Sequence, residues 1–261
     1  MSGQGSAGPS AGPSDPGWTV LGPEGAPAIV LVHGSRLTRA VWLPVMDRLK
    51  GEFRLVALDL PGHGTRAAEP FTLAGAAAVI AVAIDEAAGG RAVVVGHSLG
   101  GYASMDLAAA SPARVRGLVI AGASQEPGGS WRWAFGLLAT MLDNPTVRLM
   151  NRANDRWFRR RYGADVADAV IAGGYWTAAG AAGMRQIMAR RFREQLAVYP
   201  GRTLLINGEL DLIFRLGAPS FRHAALNGRR ITVGGATHLV QLDRPAEVAA
   251  ALAAFARSLE P

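Results

Sequence analysis

Short apolar runs alternate with helix-like segments along most of this chain, and that alternation constrains the fold more than any other feature. The runs are rich in β-branched residues, and the first four are near-continuously apolar, as expected for strands buried on both sides. They occupy residues 28–32, 53–58, 92–95, 117–121, 203–207 and 230–233. Since helical patterns separate them, we predict an α/β fold with a mostly parallel central sheet flanked by helices.

The helical patterns cover residues 39–50, 72–88, 99–110, 217–226 and 245–259, and Thr72 is predicted to cap the second of them. The alternation stops after Ala123 and resumes near residue 200. The intervening segment 125–199 is helix-prone, aromatic and rich in arginine. We therefore predict a helical lid at 125–199, inserted into an α/β core of residues 18–124 and 200–261. Residues 1–17 are mostly Gly, Ser, Pro and Ala, which predicts a disordered tail.

The composition excludes several functional classes. No cysteine is present, which rules out a disulfide framework, a thiolate nucleophile and a cysteine-ligated metal. The net charge is +7, but the basic residues are scattered rather than gathered on one recognition element, so we expect no nucleic-acid partner. No uncharged run has membrane-spanning length and no apolar signal segment opens the chain. We expect a cytoplasmic protein without membrane contact.

A glycine-flanked serine lies at the end of one predicted strand. Gly96-His97-Ser98-Leu99-Gly100 follows the strand directly and precedes a predicted helix directly. A strand-to-helix turn this tight leaves no room for side chains at the flanking positions and raises the serine oxygen above the sheet. The amides at the helix N-terminus point to the same place and favour negative charge there. The alternative interpretation is a glycine-rich turn without chemistry.

Chemistry at Ser98 requires a base, because a serine hydroxyl is a poor nucleophile at neutral pH. His238 is the candidate, since it follows the strand at 230–233 in a loop that can reach the serine. The other four histidines have local explanations: His97 adjoins the serine and packs or hydrogen-bonds locally, His33 and His63 shape loops beside glycines, and His223 lies on a predicted surface helix.

The base needs a carboxylate to orient it, and the segment Asn207-Gly208-Glu209-Leu210-Asp211 supplies two. Asp211 is preferred because it lies past the glycine turn, where its side chain can reach a neighbouring loop. Glu209 is the alternative. Asp211 also has a structural interpretation, as a helix cap or a partner in a surface ion pair.

Five motifs follow one another at the ends of the predicted strands. They are His33-Gly34, Asp59-Leu60-Pro61-Gly62-His63-Gly64, Gly96-His97-Ser98-Leu99-Gly100-Gly101, Gly208-Glu209-Leu210-Asp211, and His238 followed by Asp243-Arg244-Pro245. In this order they resemble the α/β-hydrolase fold superfamily, specifically its lid-bearing serine hydrolase branch. The resemblance covers most of the chain from about residue 27 onward, apart from the lid segment.

The resemblance implies a cofactor-independent and metal-free hydrolase acting on a small hydrophobic acyl substrate. It implies that Ser98 is the nucleophile, His238 the general base and Asp211 the residue that orients the imidazole. The backbone amides of Ser35 and Leu99 would form the oxyanion hole, and His33 and Gly34 would support that loop. The expected reaction is cleavage of a carboxylic ester or lactone through an acyl-enzyme.

Departures from the family pattern also carry implications. Serine rather than aspartate at position 98 argues against the haloalkane dehalogenase and epoxide hydrolase branches, which attack through a carboxylate. Another acid position used by some relatives holds Gly122-Ala123-Ser124, which favours Asp211. The antiparallel strands that often open the sheet are expected to be shortened, or one to be missing.

Several alternatives stay open at this stage. The same triad would serve a thioesterase or a carbon–carbon bond hydrolase, and a relative with low turnover would be a small-molecule-binding protein. Gly62-His63-Gly64-Thr65-Arg66-Ala67 has the outline of a dinucleotide fingerprint, but no long helix follows it. An arginine run in the lid segment is either a solvated face or a docking site for an acyl-carrier domain or a CoA thioester. Its members are Arg152, Arg156, Arg159, Arg160 and Arg161.

Overall fold

The strands form one sheet, as the apolar runs predict. The computed structural model describes residues 15–144, 146 and 151–259. Its strands are β1 Trp18–Leu21, β2 Ala28–Val32, β3 Arg54–Leu58, β4 Ala92–His97, β5 Val115–Ala121, β6 Arg202–Gly208 and β7 Asn227–Val233. Their order in the sheet is β1-β3-β2-β4-β5-β6-β7. All neighbours pair in parallel except β1, which pairs antiparallel with β3. The predicted mostly parallel sheet is confirmed.

The helices of the described residues fall between these strands. They are α1 Leu43–Leu49, α2 Leu73–Ala87, α3 Leu99–Ala110, α4 Arg132–Asp143, α5 Asn151–Arg161, α6 Ala164–Gly173, α7 Thr177–Ile187, α8 Phe192–Val198, α9 Leu212–Ala224, α10 Val240–Asp243 and α11 Pro245–Arg257. The predicted cap is confirmed, because Thr72 Oγ1 accepts a hydrogen bond from the Gly75 amide. In this part of the chain, no helix has both the length and the apolar character needed to cross a membrane.

Alternate residues of each central strand enter two different cores, which explains why the strand sequences are apolar throughout. Val30 and Val32 of β2 pack with α2 and α3 on one face. Ile29 and Leu31 pack with α1 and α11 on the other. All four side chains are fully buried. Burial of an aliphatic side chain of this size contributes about 1.5–3 kcal/mol, so the two cores hold the strand ends in fixed positions.

The chain reverses direction across the sheet between β2 and β4. From β2 it passes to β3 on one side, and later strands extend on the other side of β2. In open α/β sheets, such a point leaves a crevice at the carboxyl ends of the strands. The loops after β2 and β4 both open into this crevice, which brings Gly34 next to Ser98: a Cβ at Gly34 would lie 3.0 Å from Ser98 Cβ.

The first described residues run onto the sheet. The Asp59 amide donates a 2.9 Å hydrogen bond to the Gly17 carbonyl, just before β1 begins. Within the described range, β1 is the antiparallel strand of the sheet, in line with the expectation of a shortened antiparallel start. Residues 1–14 of the predicted tail lie outside the described residues.

A helical insertion, residues 125–199, lies between β5 and β6 and contains α4 to α8. Helix α8 packs on the sheet-flanking layer, where the ring of Phe192 lies 4.5 Å from that of Tyr102 in α3. The earlier part of the insertion meets the loop after β2, because the Trp176 amide donates a 2.7 Å hydrogen bond to the Arg36 carbonyl.

Asp243 ties the insertion to the loop that follows β7. Its Oδ2 accepts hydrogen bonds from the Thr237 amide at 2.7 Å and the Thr237 hydroxyl at 2.5 Å. Its Oδ1 accepts from Tyr162 Oη at 2.9 Å and Arg161 Nη2 at 3.0 Å. Burial of Asp243 opposes ionisation, but the hydrogen bonds from Thr237, Tyr162 and Arg161 outweigh it and hold the pKa of this carboxyl below its usual range.

We predict that Asp243→Asn lowers the free energy of unfolding by about 2–4 kcal/mol at neutral pH, since an amide nitrogen would replace an accepting oxygen. The folded-state pKa of Asp243 lies below its unfolded value. The contribution of the carboxylate is therefore full above an unfolded pKa of about 3.9 and is lost as the pH falls through the folded pKa. Urea unfolding of both proteins across this pH range measures the difference.

The matched control is Asp47→Asn, which removes an exposed ion pair with Lys50. We expect it to leave the free energy of unfolding close to the wild-type value across this pH range, because an exposed ion pair contributes little. A difference between wild type and Asp243→Asn that stays constant down to about pH 3 would contradict the assignment of a depressed pKa.

Candidate active site

Ser98 occupies a strained turn between β4 and α3. Its backbone angles are φ 51° and ψ −119°, a region that non-glycine residues rarely adopt and that costs about 1–3 kcal/mol. Two hydrogen bonds hold the turn: the Ser98 amide donates to the Ala121 carbonyl at 2.8 Å, and the Gly101 amide donates to the Ser98 carbonyl at 2.9 Å. The result is a serine side chain directed away from both the strand and the helix, at the carboxyl edge of the sheet.

The glycines around Ser98 are required by close backbone packing. A Cβ at Gly96 would lie 2.4 Å from the Gly100 carbonyl oxygen, and one at Gly100 would lie 2.3 Å from the His33 carbonyl oxygen. Both contacts are with backbone, which cannot move aside as the end of a side chain can. The turn therefore has the steric basis that the sequence motif predicts.

The structure brings Ser98, His238 and Asp211 into one hydrogen-bonded row. His238 Nε2 lies 3.0 Å from Ser98 Oγ, and His238 Nδ1 lies 2.8 Å from Asp211 Oδ2. Ser98 and Asp211 are buried. Asp211 stands at the N-cap position of α9 but makes no capping hydrogen bond, so its carboxylate is available to the imidazole. Glu209, the alternative, instead accepts a 2.8 Å hydrogen bond from the Gly235 amide.

His238 is held from two further sides by residues to which the sequence analysis gave no such role. Phe214 stacks on its ring, with centroids 4.9 Å apart and an interplanar angle of 22°. His97 Nε2 lies 2.8 Å from the His238 carbonyl oxygen, a contact between residues 141 positions apart. The prediction that His97 bonds locally is therefore wrong, because the tertiary fold brings the β7 loop over the turn.

The buried histidines around the serine are neutral. Burial, reinforced by the neighbouring His238, lowers the pKa of His97 to about 3. Neutral His97 must carry its proton on Nε2 to donate to the His238 carbonyl. Burial also holds the pKa of His33 well below its usual value and lowers that of His63. These rings position the backbone and add no positive charge to the site.

The loop after β2 carries the predicted oxyanion amide of Ser35. The Leu60 amide donates to His33 Nε2 at 2.9 Å, so His33 holds its proton on Nδ1 and donates to the Gly34 carbonyl at 2.7 Å. That pair of hydrogen bonds fixes the peptide preceding Ser35. Among the described residues, the amides of Ser35 and Leu99 have no hydrogen-bond acceptor. Both remain free to bind an incoming oxygen.

A cavity of about 630 Å³ opens beside Ser98 and His238. Its size lies within the range of small-molecule sites. Most of its lining is apolar and comes from the helical insertion, the loop after β2 and the start of α9. The insertion contributes Phe135, Leu138, Leu142, Asn154, Trp157, Phe158 and Met184. Two tryptophans of the insertion have different surroundings: Trp157 lines the cavity, whereas Trp133 is 71% exposed.

Residues 62–67, which have the outline of a dinucleotide fingerprint, lack the strand–turn–helix structure that binds a dinucleotide. Asp59 fills the space beside Gly64, where an added Cβ would lie 2.2 Å from Asp59 Oδ2. A short 3-10 turn, Gly64–Arg66, follows, and α2 begins only at Leu73. A phosphate would have neither a free cradle nor the N-terminus of a helix at this loop.

One further observation concerns metal ions. In residues 15–144, 146 and 151–259, no group of three or more His, Asp or Glu side chains is arranged to hold one.

Comparisons with known proteins identify the family to which the chain is similar. A model of the alpha/beta hydrolase family matches residues 29–251 of the chain. The chain is 30% identical over 243 residues to the pimeloyl-[acyl-carrier protein] methyl ester esterase of Edwardsiella ictaluri (strain 93-146), covering 87% of this chain and 92% of that protein. It is 31% identical over 262 residues to the protein of the same name from Stenotrophomonas maltophilia (strain R551-3), covering 90% and 95%.

Solved structures share the fold at lower identity. A thermophilic esterase from Thermogutta terrifontis superimposes with a TM-score of 0.75 at 18% identity. The match covers 94% of this chain and 93% of that chain.

Proposed function

Because the chain belongs to the alpha/beta hydrolase family, we propose that this enzyme is a serine hydrolase that cleaves carboxylic esters or lactones. The observation that carries the proposal is the row of hydrogen bonds from Ser98 through His238 to Asp211. Two relatives named as esterases support the ester over other acyl compounds. No cofactor enters the proposed reaction.

In the first step, Ser98 Oγ attacks the carbonyl carbon of the ester. His238 Nε2, at 3.0 Å, accepts the hydroxyl proton, so the nucleophile gains negative charge only as the bond forms. Asp211 accepts a hydrogen bond from Nδ1 and stabilises the imidazolium that results. The attacking oxygen is already oriented because the Ser98 backbone cannot relax without displacing the packed glycines.

The carbonyl oxygen becomes an oxyanion, and the amides of Ser35 and Leu99 are proposed to bind it. Leu99 is the first residue of α3, so its N–H has no partner within the helix and carries the positive end of the helix dipole. Donors fixed in advance toward developing charge typically contribute 10²–10³ in rate each, about 3–4 kcal/mol.

Collapse of the tetrahedral intermediate expels the alcohol, which takes the proton from His238, and leaves the acyl group on Ser98. A water molecule then gives its proton to His238 and attacks the acyl carbon, and the same steps in reverse release the acid and restore Ser98. For a lactone the alcohol stays attached to the acyl chain. Helices α4 to α7 are proposed to act as the lid, because residues of α4, α5 and α7 line the cavity.

We predict that a fluorophosphonate labels Ser98 stoichiometrically and that Ser98→Ala abolishes labelling. The variant should also lower kcat/KM for a p-nitrophenyl ester by at least ~10³-fold, since the remaining site provides binding and oxyanion stabilisation only. Mass spectrometry of the labelled peptide and burst kinetics with the ester measure both effects. Ser130→Ala, at an exposed serine, is the control and should behave as wild type.

Labelling that persists in Ser98→Ala would contradict the proposed nucleophile. Binding of the ester without labelling or turnover would favour the alternative of a small-molecule-binding protein. A thioester and a ketone with a hydrolysable carbon–carbon bond belong in the same assay, because the triad alone does not distinguish these leaving groups.

A carrier-linked ester is the second candidate substrate. Two relatives are named for acyl-carrier protein methyl esters. In the described part of α5, Arg159 pairs with Asp168 and Arg161 with Asp243, whereas Arg156 and Arg160 are exposed and make no ion pair. At about 100° per residue, these two arginines lie about 160° around α5 from the cavity-lining Phe158 and about 60–100° from Trp157. Asn151 and Arg152 have side chains outside the description.

We predict that Arg156→Glu with Arg160→Glu lowers kcat/KM for an acyl-carrier-linked methyl ester at least tenfold and makes it less sensitive to salt, because steering of an acidic carrier would be lost. The matched control is Arg229→Glu with Arg230→Glu, which makes the same charge change on exposed residues of β7. An equal effect of both double variants, or a carrier-linked ester no better than the free ester, would contradict carrier docking.

A further inference from the structure

Arg36 lies at the wall of the cavity with its backbone fixed in place. It follows Ser35 directly, and it lines the same cavity as Ser98 and His238. Its φ is 76°, in the left-handed region that a non-glycine residue occupies at a cost. The Trp176 amide donates to its carbonyl at 2.7 Å, which holds this conformation against the helical insertion. Arg36 is therefore held in position rather than free on the surface.

The guanidinium of Arg36 lacks a counter-charge among residues 15–144, 146 and 151–259. Its Nε is buried without a hydrogen-bond partner, and in the described part of the chain no carboxylate forms an ion pair with it. Its Cζ lies 5.8 Å from the centroid of the Tyr175 ring. Burial removes the charge partly from water and so lowers the pKa of Arg36. An unpaired charge in such a place is costly unless a partner arrives.

The other acidic and basic groups considered in the cavity lining either have a partner or are neutral. Asp211 is the carboxylate of its lining, and it is hydrogen-bonded to His238. His97, also in the lining, is neutral because its pKa is about 3. Among the lining residues, Arg36 is thus the one with a permanent positive charge. It faces a mainly apolar space that includes Leu37, Val41 and Trp157.

We propose that Arg36 determines specificity by binding a free carboxylate carried by the ester, so that half-esters of dicarboxylic acids are the preferred substrates. A planar guanidinium matches a carboxylate with two parallel hydrogen bonds. A single cation in an apolar cavity neutralises one negative charge, which suits a carboxylate better than a doubly charged phosphate. The inference rests on the proposed function, because the ester group must reach Ser98 while the carboxylate reaches Arg36.

The test compares monomethyl esters of dicarboxylic acids, from glutarate to suberate, with methyl esters of monocarboxylic acids of the same chain length. Wild type is expected to prefer the half-ester at one chain length. Arg36→Gln should lower the ratio of the two kcat/KM values at least tenfold, mainly through a higher KM for the half-ester. Arg36→Lys, which keeps the charge without the planar fork, should recover part of the ratio.

Arg222→Gln, at an exposed arginine of α9 away from the cavity, is the control and should leave the ratio unchanged. If Arg36 only supports the loop by packing on Tyr175, Arg36→Gln will lower both kcat/KM values together and leave their ratio constant. That result, or a wild type that prefers the neutral ester, would overturn the proposal.

A binding measurement separates this proposal from the proposed function. Isothermal titration of glutarate and its longer homologues into Ser98→Ala reports on the carboxylate site without catalysis. We expect binding that is weakened at least tenfold in Ser98→Ala with Arg36→Gln. If wild type hydrolyses no ester but this binding is observed, the proposed reaction fails and the carboxylate site stands. If esters are hydrolysed and Arg36→Gln does not change dicarboxylate binding, the carboxylate site fails alone.

Discussion

Close contact between the backbone of β4 and that of α3 is the constraint from which the chemistry of this protein follows. Gly96 and Gly100 lie so near to neighbouring backbone that any side chain at either position would overlap a carbonyl oxygen. The turn between them can close only if Ser98 takes φ 51°, and the cost of that conformation, about 1–3 kcal/mol, is offset by the buried strand and helix on either side. Ser98, the proposed nucleophile, is therefore oriented by the core rather than by its own side-chain contacts.

The proposed base, His238, is positioned by a second set of contacts that converge from different parts of the chain. Asp211 after β6 binds Nδ1 of His238, Phe214 of α9 stacks on the ring, and His97 beside the nucleophile holds the His238 carbonyl. Asp243 accepts a hydrogen bond from the amide of Thr237, the residue before His238, and so links this loop to the helical insertion. Arg161 of α5 binds the same carboxylate. A movement of α5 would therefore displace the loop that carries His238, the proposed base.

Much of the fold and part of the site could be predicted from the sequence, because both depend on local patterns. Apolar runs identify strands buried on both faces, and glycines on either side of Ser98 identify the turn. Helix α9 was harder: it begins at Leu212, ahead of the predicted 217, and it includes Pro219. Glycine is disfavoured in a helix interior. Packing nevertheless requires glycine at position 217, because a Cβ there would lie 2.1 Å from the Ser124 carbonyl oxygen.

The residues that escaped prediction act through tertiary contacts. His97 reaches His238 across 141 positions, and no periodicity reports such a pairing. Arg36 resembles any other arginine in a basic chain until the structure shows that it lines the cavity and that no carboxylate in the described part of the chain pairs with it. Local sequence thus reveals where chemistry can occur, whereas long-range packing decides how it is oriented and which substrate it favours.

The most direct test is a crystal structure of the enzyme after reaction with a fluorophosphonate. We predict a phosphorus atom bonded to Ser98 Oγ, with its free oxygen about 2.7–3.1 Å from the amide nitrogens of both Ser35 and Leu99. His238 should remain hydrogen-bonded to Asp211. An adduct on another residue, or a phosphoryl oxygen that points away from both amides, would contradict the view that backbone packing presents Ser98 to a preformed oxyanion site.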